Sequence, residues 1–184
     1  MSRGEWTERS LLIQEFDERA AILDEVPHLR RYAMALLRDM DAADDLVHDC
    51  VHRALSKLHL FQMGTNMRAW LLTIMHHLHI QQARRGRRRL DDRVLDPETE
   101  IRHAAPPDQE QGLRVRDLSR ALGLLDDRHR QVILMIGLGG LSYKQAAETL
   151  DVPIGTVMSR LARGRERLRV LMSDDAAPAL RRVK

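Results

Sequence analysis

Apolar residues recur along most of this chain with the period of an α-helix. Leu29, Tyr32, Ala33, Leu36 and Leu37 fall at i, i+3, i+4, i+7 and i+8, one stripe on one helix. The segment "RDMD" interrupts it, and Asp41 is the expected N-cap of a second helix bearing Leu46, Val47, Cys50, Val51, Ala54, Leu55 and Leu58. "FQMGTN" then breaks the rhythm, with Gly64 for the turn and Thr65 or Asn66 to cap the next helix. Trp70, Leu71, Ile74, Met75 and Leu78 make a third stripe, which ends in "RRGRRR" from Arg84. Three such helices can bury one another's stripes as a bundle. A further helix around Leu11–Leu23 is expected to join them.

Periodicity fades in "LDDRVLDPETEIRHAAPPDQEQG", which carries three prolines and seven acids and reads as an extended linker. Helices resume with Leu118, Ala121, Leu122 and Leu125. Asp126 or Asp127 then caps a segment through Val132, Ile133 and Ile136 that stops at "GLGG". Ser142 and Gln145 have the spacing of a capping box, with Leu141 as the hydrophobic staple. A turn at Asp151–Val152 leads to Pro153, suited to the first turn of a new helix. Two helices joined in this way form a helix-turn-helix. The expected fold is all-α: two small helical domains joined by a flexible acidic linker, the C-terminal one carrying the helix-turn-helix. The boundaries read from the pattern are an N-terminal extension at 1–24, a helical domain at 25–89, a linker at 90–112, a second domain at 113–172 and a tail at 173–184.

Composition supports helices. Apolar residues make up 43% of the 184 positions and aromatics only 3%, so the cores must be built from aliphatic side chains. No run of eighteen apolar residues offers a membrane span, and the N-terminus lacks a signal-peptide core with a cleavage site. One cysteine gives neither a disulfide framework nor a cysteine zinc site, and the expected location is the cytoplasm.

Charge changes the picture more. Residues 1–60 hold 12 acids and 8 bases, and residues 61–89 hold 6 bases and no acid. Residues 90–112 hold 7 acids and 2 bases, and residues 113–184 hold 8 acids and 14 bases. Blocks of alternating sign point to separate surfaces for separate partners. The last block centres on "DVPIGTVMSRLARGRERL", where Val157, Leu161 and Leu168 face inward and Arg160, Arg163 and Arg167 share another face. With Met158 and Ser159 near the front, the second helix suits a major groove. Ser142 and Lys144, at the start of the preceding helix, can clamp a phosphate. Glu166 can pair with Arg163 or with Arg169.

An enzyme is the first alternative. His48 and His52 share a helix face as metal ligands do, but Cys50 lies on the apolar stripe as a structural thiol. No general base with an evident partner and no phosphate loop appears, so neither catalysis nor a cofactor or metal is expected. The second alternative is a conventional helix-turn-helix regulator that binds duplex DNA without polymerase.

The segment "LSYKQAAETLDVPIGTVMSRLARGRERL" resembles the promoter −35-reading domain of extracytoplasmic-function sigma factors. "DDLVHDCVHRAL" and "FQMGTNMRAWLLTIMHHL" resemble the same family's −10-binding and polymerase-binding domain, and "FQMGTNMRAWL" is similar to its alphaproteobacterial general stress response branch. The resemblance covers roughly residues 25–90 and 113–172. It implies a monomer that docks on core RNA polymerase at its clamp and flap, reads two promoter elements and opens the strands. Asp44, Asp45, His48 and Asp49 are implied at the polymerase. Gln62, Met63, Gly64, Thr65, Asn66, Met67, Arg68 and Trp70 are implied at a single-stranded −10 base. Ser142, Lys144, Thr156, Met158, Ser159, Arg160, Arg163 and Arg167 are implied at the duplex −35 element. An anti-sigma factor is a further implied partner. Met158 stands where relatives often carry a basic residue, and His76–His77 replaces a common Arg–Asn pair, so the promoter sequence does not transfer from them.

Overall fold

The structure, a computed structural model, describes the backbone of residues 3–90 and 109–173, and side chains from residue 18 to 84 and from 115 to 173. The expected linker and tail, and the side chains of "RRGRRR" beyond Arg84, fall almost wholly outside these residues. The described residues are helical with no strand, and the chain divides into two compact units, Met1–Arg102 and His103–Lys184.

In the first unit α1 runs Arg3–Leu37, α2 Met40–Ser56 and α3 Met67–Leu90, with a short 3₁₀ turn at Leu58–Leu60. All three helices touch one another. Ile22, Leu29, Tyr32, Ala33 and Leu36 of α1 meet Ala43, Leu46, Val47, Cys50 and Ala54 of α2, and Leu71, Leu72 and Met75 of α3. The break between α1 and α2 is made by Arg38, in a left-handed conformation at φ 62°, and by Asp39. The cap of α2 is Asp39 rather than the expected Asp41: its carboxylate accepts from the Ala42 amide at 2.8 Å. Asp41 lies inside the first turn, where its charge complements the helix dipole.

Two helices expected on either side of residue 24 are one. α1 passes through Pro27, whose ring removes the hydrogen bond to the Leu23 carbonyl. Leu23 and Pro27 are both exposed, so that carbonyl lies on the solvent side, while Ile22 and Leu29 are fully buried on the other. Burial of these side chains, about 1.5–3 kcal/mol each, offsets the lost bond. The α3 stripe is also rotated from expectation. Leu71, Leu72, Met75 and His76 are buried, whereas Trp70, Ile74 and Leu78 are half-buried.

In the second unit α4 spans Gln109–Gly123, α5 Asp127–Gly137, α6 Tyr143–Leu150 and α7 Ile154–Met172. Asp126 caps α5, accepting from the His129 amide at 3.0 Å. The Ser142–Gln145 capping box forms in both directions, at 3.2 and 2.9 Å, with Leu141 buried beside it. Asp151 ends α6 in a left-handed conformation at φ 51°, which a short polar side chain tolerates. Pro153 is the residue before α7 rather than its first helical position, and α7 begins at Ile154. α7 packs on α5 and α4 as well as on α6. Its seam holds Val157, Leu161 and Gly164, with Leu168 half-buried.

At Gly164 α7 approaches α5 closely. A Cβ there would lie 2.9 Å from Ile133 Cδ1 and 3.2 Å from His129 Cβ, whereas one at Gly155 would meet nothing within 4 Å. Gly164→Leu should therefore destabilise the second unit by about 1–3 kcal/mol through overpacking. Gly155→Ala should stabilise it by about 0.5 kcal/mol by lowering unfolded-chain entropy. Urea unfolding of the two variants checks both signs.

Candidate functional site

The loop between α2 and α3 is held at both ends. Phe61 and Trp70 stack with ring centroids 5.2 Å apart and planes 51° apart, closing its base. Within it the Thr65 amide donates to the Gln62 carbonyl and the Thr65 hydroxyl donates to the same oxygen at 2.7 Å. Gly64 has φ 79°, the positive angle required at the third position of such a turn. Asn66, not Thr65, caps α3, accepting from the Ala69 amide at 3.1 Å. Residues 62–66 are all exposed, including 60% of Met63, and Leu60 just before them is 59% exposed. The loop thus presents polar groups and bare apolar surface around a half-exposed tryptophan, the chemistry that stacks on an unpaired base.

Arg68 comes just after this loop, but its guanidinium is committed. It donates to both Glu25 oxygens, Nε at 2.7 Å and the second nitrogen at 3.2 Å. Neither Glu25 nor Leu60 is singled out by the sequence pattern. Glu25 sits on α1, 43 residues from its partner, and no local spacing marks the pair.

On α2 the acids face outward. Asp45, His48 and Asp49 are exposed, while Asp44 is half-exposed and accepts from Arg30 at 2.7 Å. Asp49 also accepts from Gln82 at 3.3 Å. Cys50, on the opposite side, is buried and donates from Sγ to the Leu71 carbonyl, and burial pushes its thiol up to about 12. It is a structural thiol. Among the described residues no three histidines, cysteines or acids are grouped to hold a metal.

At the helix-turn-helix, the side of α7 opposite Val157 and Leu161 carries Gly155, Ser159, Ala162 and, one turn further on, Glu166, all exposed. At 100° per residue, Met158 lies on one flank of this face and Arg163 on the other, with Thr156, Arg160 and Arg167 towards the packed edge. Thr156 and Arg160 are half-buried, and Met158, Ser159, Arg163 and Arg167 are exposed. Ser159 Oγ donates to the Thr156 carbonyl at 3.0 Å. Arg167 is 3.8 Å from Asp126, and Glu166 pairs with Arg169 at 2.7 Å rather than with Arg163. That pairing holds the Glu166 carboxyl below its usual range. Among the described residues Arg160 and Arg163 have no ion-pair partner. Ser142 and Lys144 are exposed at the start of α6, with Lys144 4.0 Å from Glu148.

A three-helix bundle with an exposed polar loop, and a helix-turn-helix on which Arg160 and Arg163 have no ion-pair partner among the described residues, make up a DNA-binding protein of two helical modules. The profile described as the Sigma2 domain of PhyR matches residues 22–76, and that of sigma-70 region 4 matches residues 116–168. The chain is 35% identical to the ECF RNA polymerase sigma factor EcfG of Rhodopseudomonas palustris, over 86% of this chain and 87% of that one. It is similar to the sigma factor RpoE of Bartonella quintana, solved with the anti-sigma factor NepR: TM-score 0.76, 36% identity, 86% of this chain and 98% of that one. CnrH, solved with the cytosolic domain of CnrY, shares the fold at TM-score 0.61 and 21% identity, over 90% of this chain and 97% of that one. The chain belongs to the extracytoplasmic-function family of RNA polymerase sigma factors. No described helix is long and apolar enough to cross a membrane.

Protonation of His76 opposes folding of the first unit. Burial first, and then the neighbouring His77 and His79, lower His76 from 6.5 to about 4. The unfolded chain therefore binds the extra proton between those values, and the folded unit loses stability as pH falls below 6.5 until about 4. Between pH 6.5 and 5 the loss should be about 1.5 kcal/mol. Urea midpoints should show it in the native chain and much less of it in His76→Gln. Equal slopes in the two proteins would contradict it.

Proposed function

We propose that α2 docks on the polymerase clamp through Asp44, Asp45, His48 and Asp49, and that the loop Gln62–Met67 with Trp70 receives an unpaired −10 base. The helix-turn-helix reads duplex −35 DNA. Ser159, Met158 and Arg163 are directed at base edges, and Thr156, Arg160, Arg167, Ser142 and Lys144 at phosphates or neighbouring bases. The domains are taken as 25–89 and 113–172, with 1–24 as an extension, 90–112 as the linker and 173–184 as the tail. The observation that carries this reading is the outer face of α7. Exposed Gly155, Ser159 and Ala162 allow close approach, and Arg160 and Arg163 have no internal partner to give up among the described residues.

Binding of unpaired bases in the loop supplies the free energy for strand opening, so no covalent chemistry falls to this chain. Its work is in the cytoplasm, on core polymerase. The likeness to a sigma factor solved with NepR supports an anti-sigma factor as a second partner, within the general stress response branch. Such a partner would bind in place of polymerase.

Purified core polymerase on a promoter library, with and without this protein, tests the reading. Specific transcripts are expected, and Asp45→Lys with Asp49→Lys should abolish them by reversing charge at the clamp. Arg163→Ala should cost about 1–3 kcal/mol, concentrated at one −35 position. Tight binding to duplex DNA without polymerase, and no transcript with it, would instead identify a conventional regulator.

A further inference from the structure

The loop that receives the base has few ties to the rest of its unit. Its turn is closed on itself by Thr65 and Gln62, and Asn66 caps only the helix that the loop enters. The Phe61–Trp70 stack joins the two ends of the loop to each other. Among the described residues, the Glu25–Arg68 bridge ties the first turn of α3 to α1.

Three features set this bridge apart from an ordinary surface pair. It is two-pronged, which fixes orientation as well as distance. It is partly withdrawn from water, with Glu25 19% and Arg68 32% exposed. Its Arg68 also follows the loop directly and lies two residues before Trp70. His28, with Nδ1 3.6 Å from the same carboxylate, is the third group facing it.

Resting on the reading of residues 62–67 and Trp70 as the −10 pocket, we propose that the Glu25–Arg68 bridge is a positioning clamp. It holds the first turn of α3 against α1 and so sets the loop and Trp70 in the geometry that receives the −10 base. Glu25 and Arg68 are then positioning residues, and Arg68 does not itself read DNA. The long helix α1 acquires a part in −10 recognition, because the carboxylate that orients the pocket comes from it.

The test uses the full chain with core polymerase. Transcripts are measured from promoters altered singly at −10 or at −35, beside thermal melting of each variant. Glu25→Gln should lower the preference for the correct −10 element about tenfold, a change of about 1.4 kcal/mol. The −35 preference should be unchanged. Arg68→Gln should do the same, and the double exchange Glu25→Arg with Arg68→Glu should restore the preference. Loss of −10 preference in Arg68→Gln with none in Glu25→Gln would overturn the clamp and make Arg68 a direct DNA contact. A parallel fall in both preferences and in melting temperature would reduce the bridge to a general stabiliser. If Met63→Ala and Trp70→Ala both leave −10 preference intact, it is the pocket reading that fails, and the clamp fails with it.

Discussion

The first unit depends on a narrow apolar seam between α1, α2 and α3. The chain has two phenylalanines, two tryptophans and two tyrosines, so large aromatic plates are scarce. The seam is closed instead by aliphatic side chains and by small ones: Ala33, Ala43, Cys50, Ala54 and Ala69 are all buried. Small residues let helix axes approach, and close axes fix where each helix begins and ends relative to the others. The loop from Phe61 to Asn66 is the span left over once α2 and α3 are seated. Trp70 can leave the seam for the Phe61 stack because Leu71, Leu72 and Met75 already fill it. The α2–α3 loop is thus a consequence of core packing, shaped by the few polar contacts that brace it.

The same molecule sorts its charges into those engaged internally and those left for partners. Arg68 with Glu25, Arg30 with Asp44 and Arg169 with Glu166 each form a direct bridge. Exposed pairs such as the last two contribute little to stability. They matter because a partner that recruits one member must first displace the other. Asp45 on α2 and Arg160 and Arg163 on α7 carry no such debt among the described residues, and they attract a partner of opposite sign at full strength. Alternating charge blocks in the sequence describe this only coarsely, because they count paired and unpaired groups alike.

What the sequence made legible was whatever depends on neighbours a few residues apart. The capping box at Ser142–Gln145, the turn at Asp151–Val152, the glycine at 64 and the apolar stripes of α1 and of α2 up to Ala54 are all local, and they define both the helical fold and the helix-turn-helix. Leu55, expected on the α2 stripe, is exposed, and Leu58 lies beyond the helix. Errors arose where a distant contact overruled a local preference. Pro27 should end a helix, but burial of Ile22 and Leu29 on the opposite side carries α1 through it. Asp39 displaced Asp41 as the cap because the chain turns at Arg38, earlier than the spacing implies. Trp70 fitted the apolar stripe of α3 and yet faces Phe61. Glu25 and Gly164 left no trace at all, since an ion pair across 43 residues and a helix crossing at a glycine have no periodic signature.

In α7 two requirements fall on opposite faces of one helix. Val157, Leu161 and Gly164 fix its seat, and Gly164 sets the distance to α5. Gly155, Met158, Ser159, Ala162 and Arg163 face away, and none of these is buried. Side chains on that face take no part in the seam, so the orientation of the helix does not depend on their identity. Met158, 48% exposed, can be replaced without disturbing how the helix is held. The fold therefore seats the helix-turn-helix through one face of α7 and leaves the opposite face to side chains that take no part in the seam.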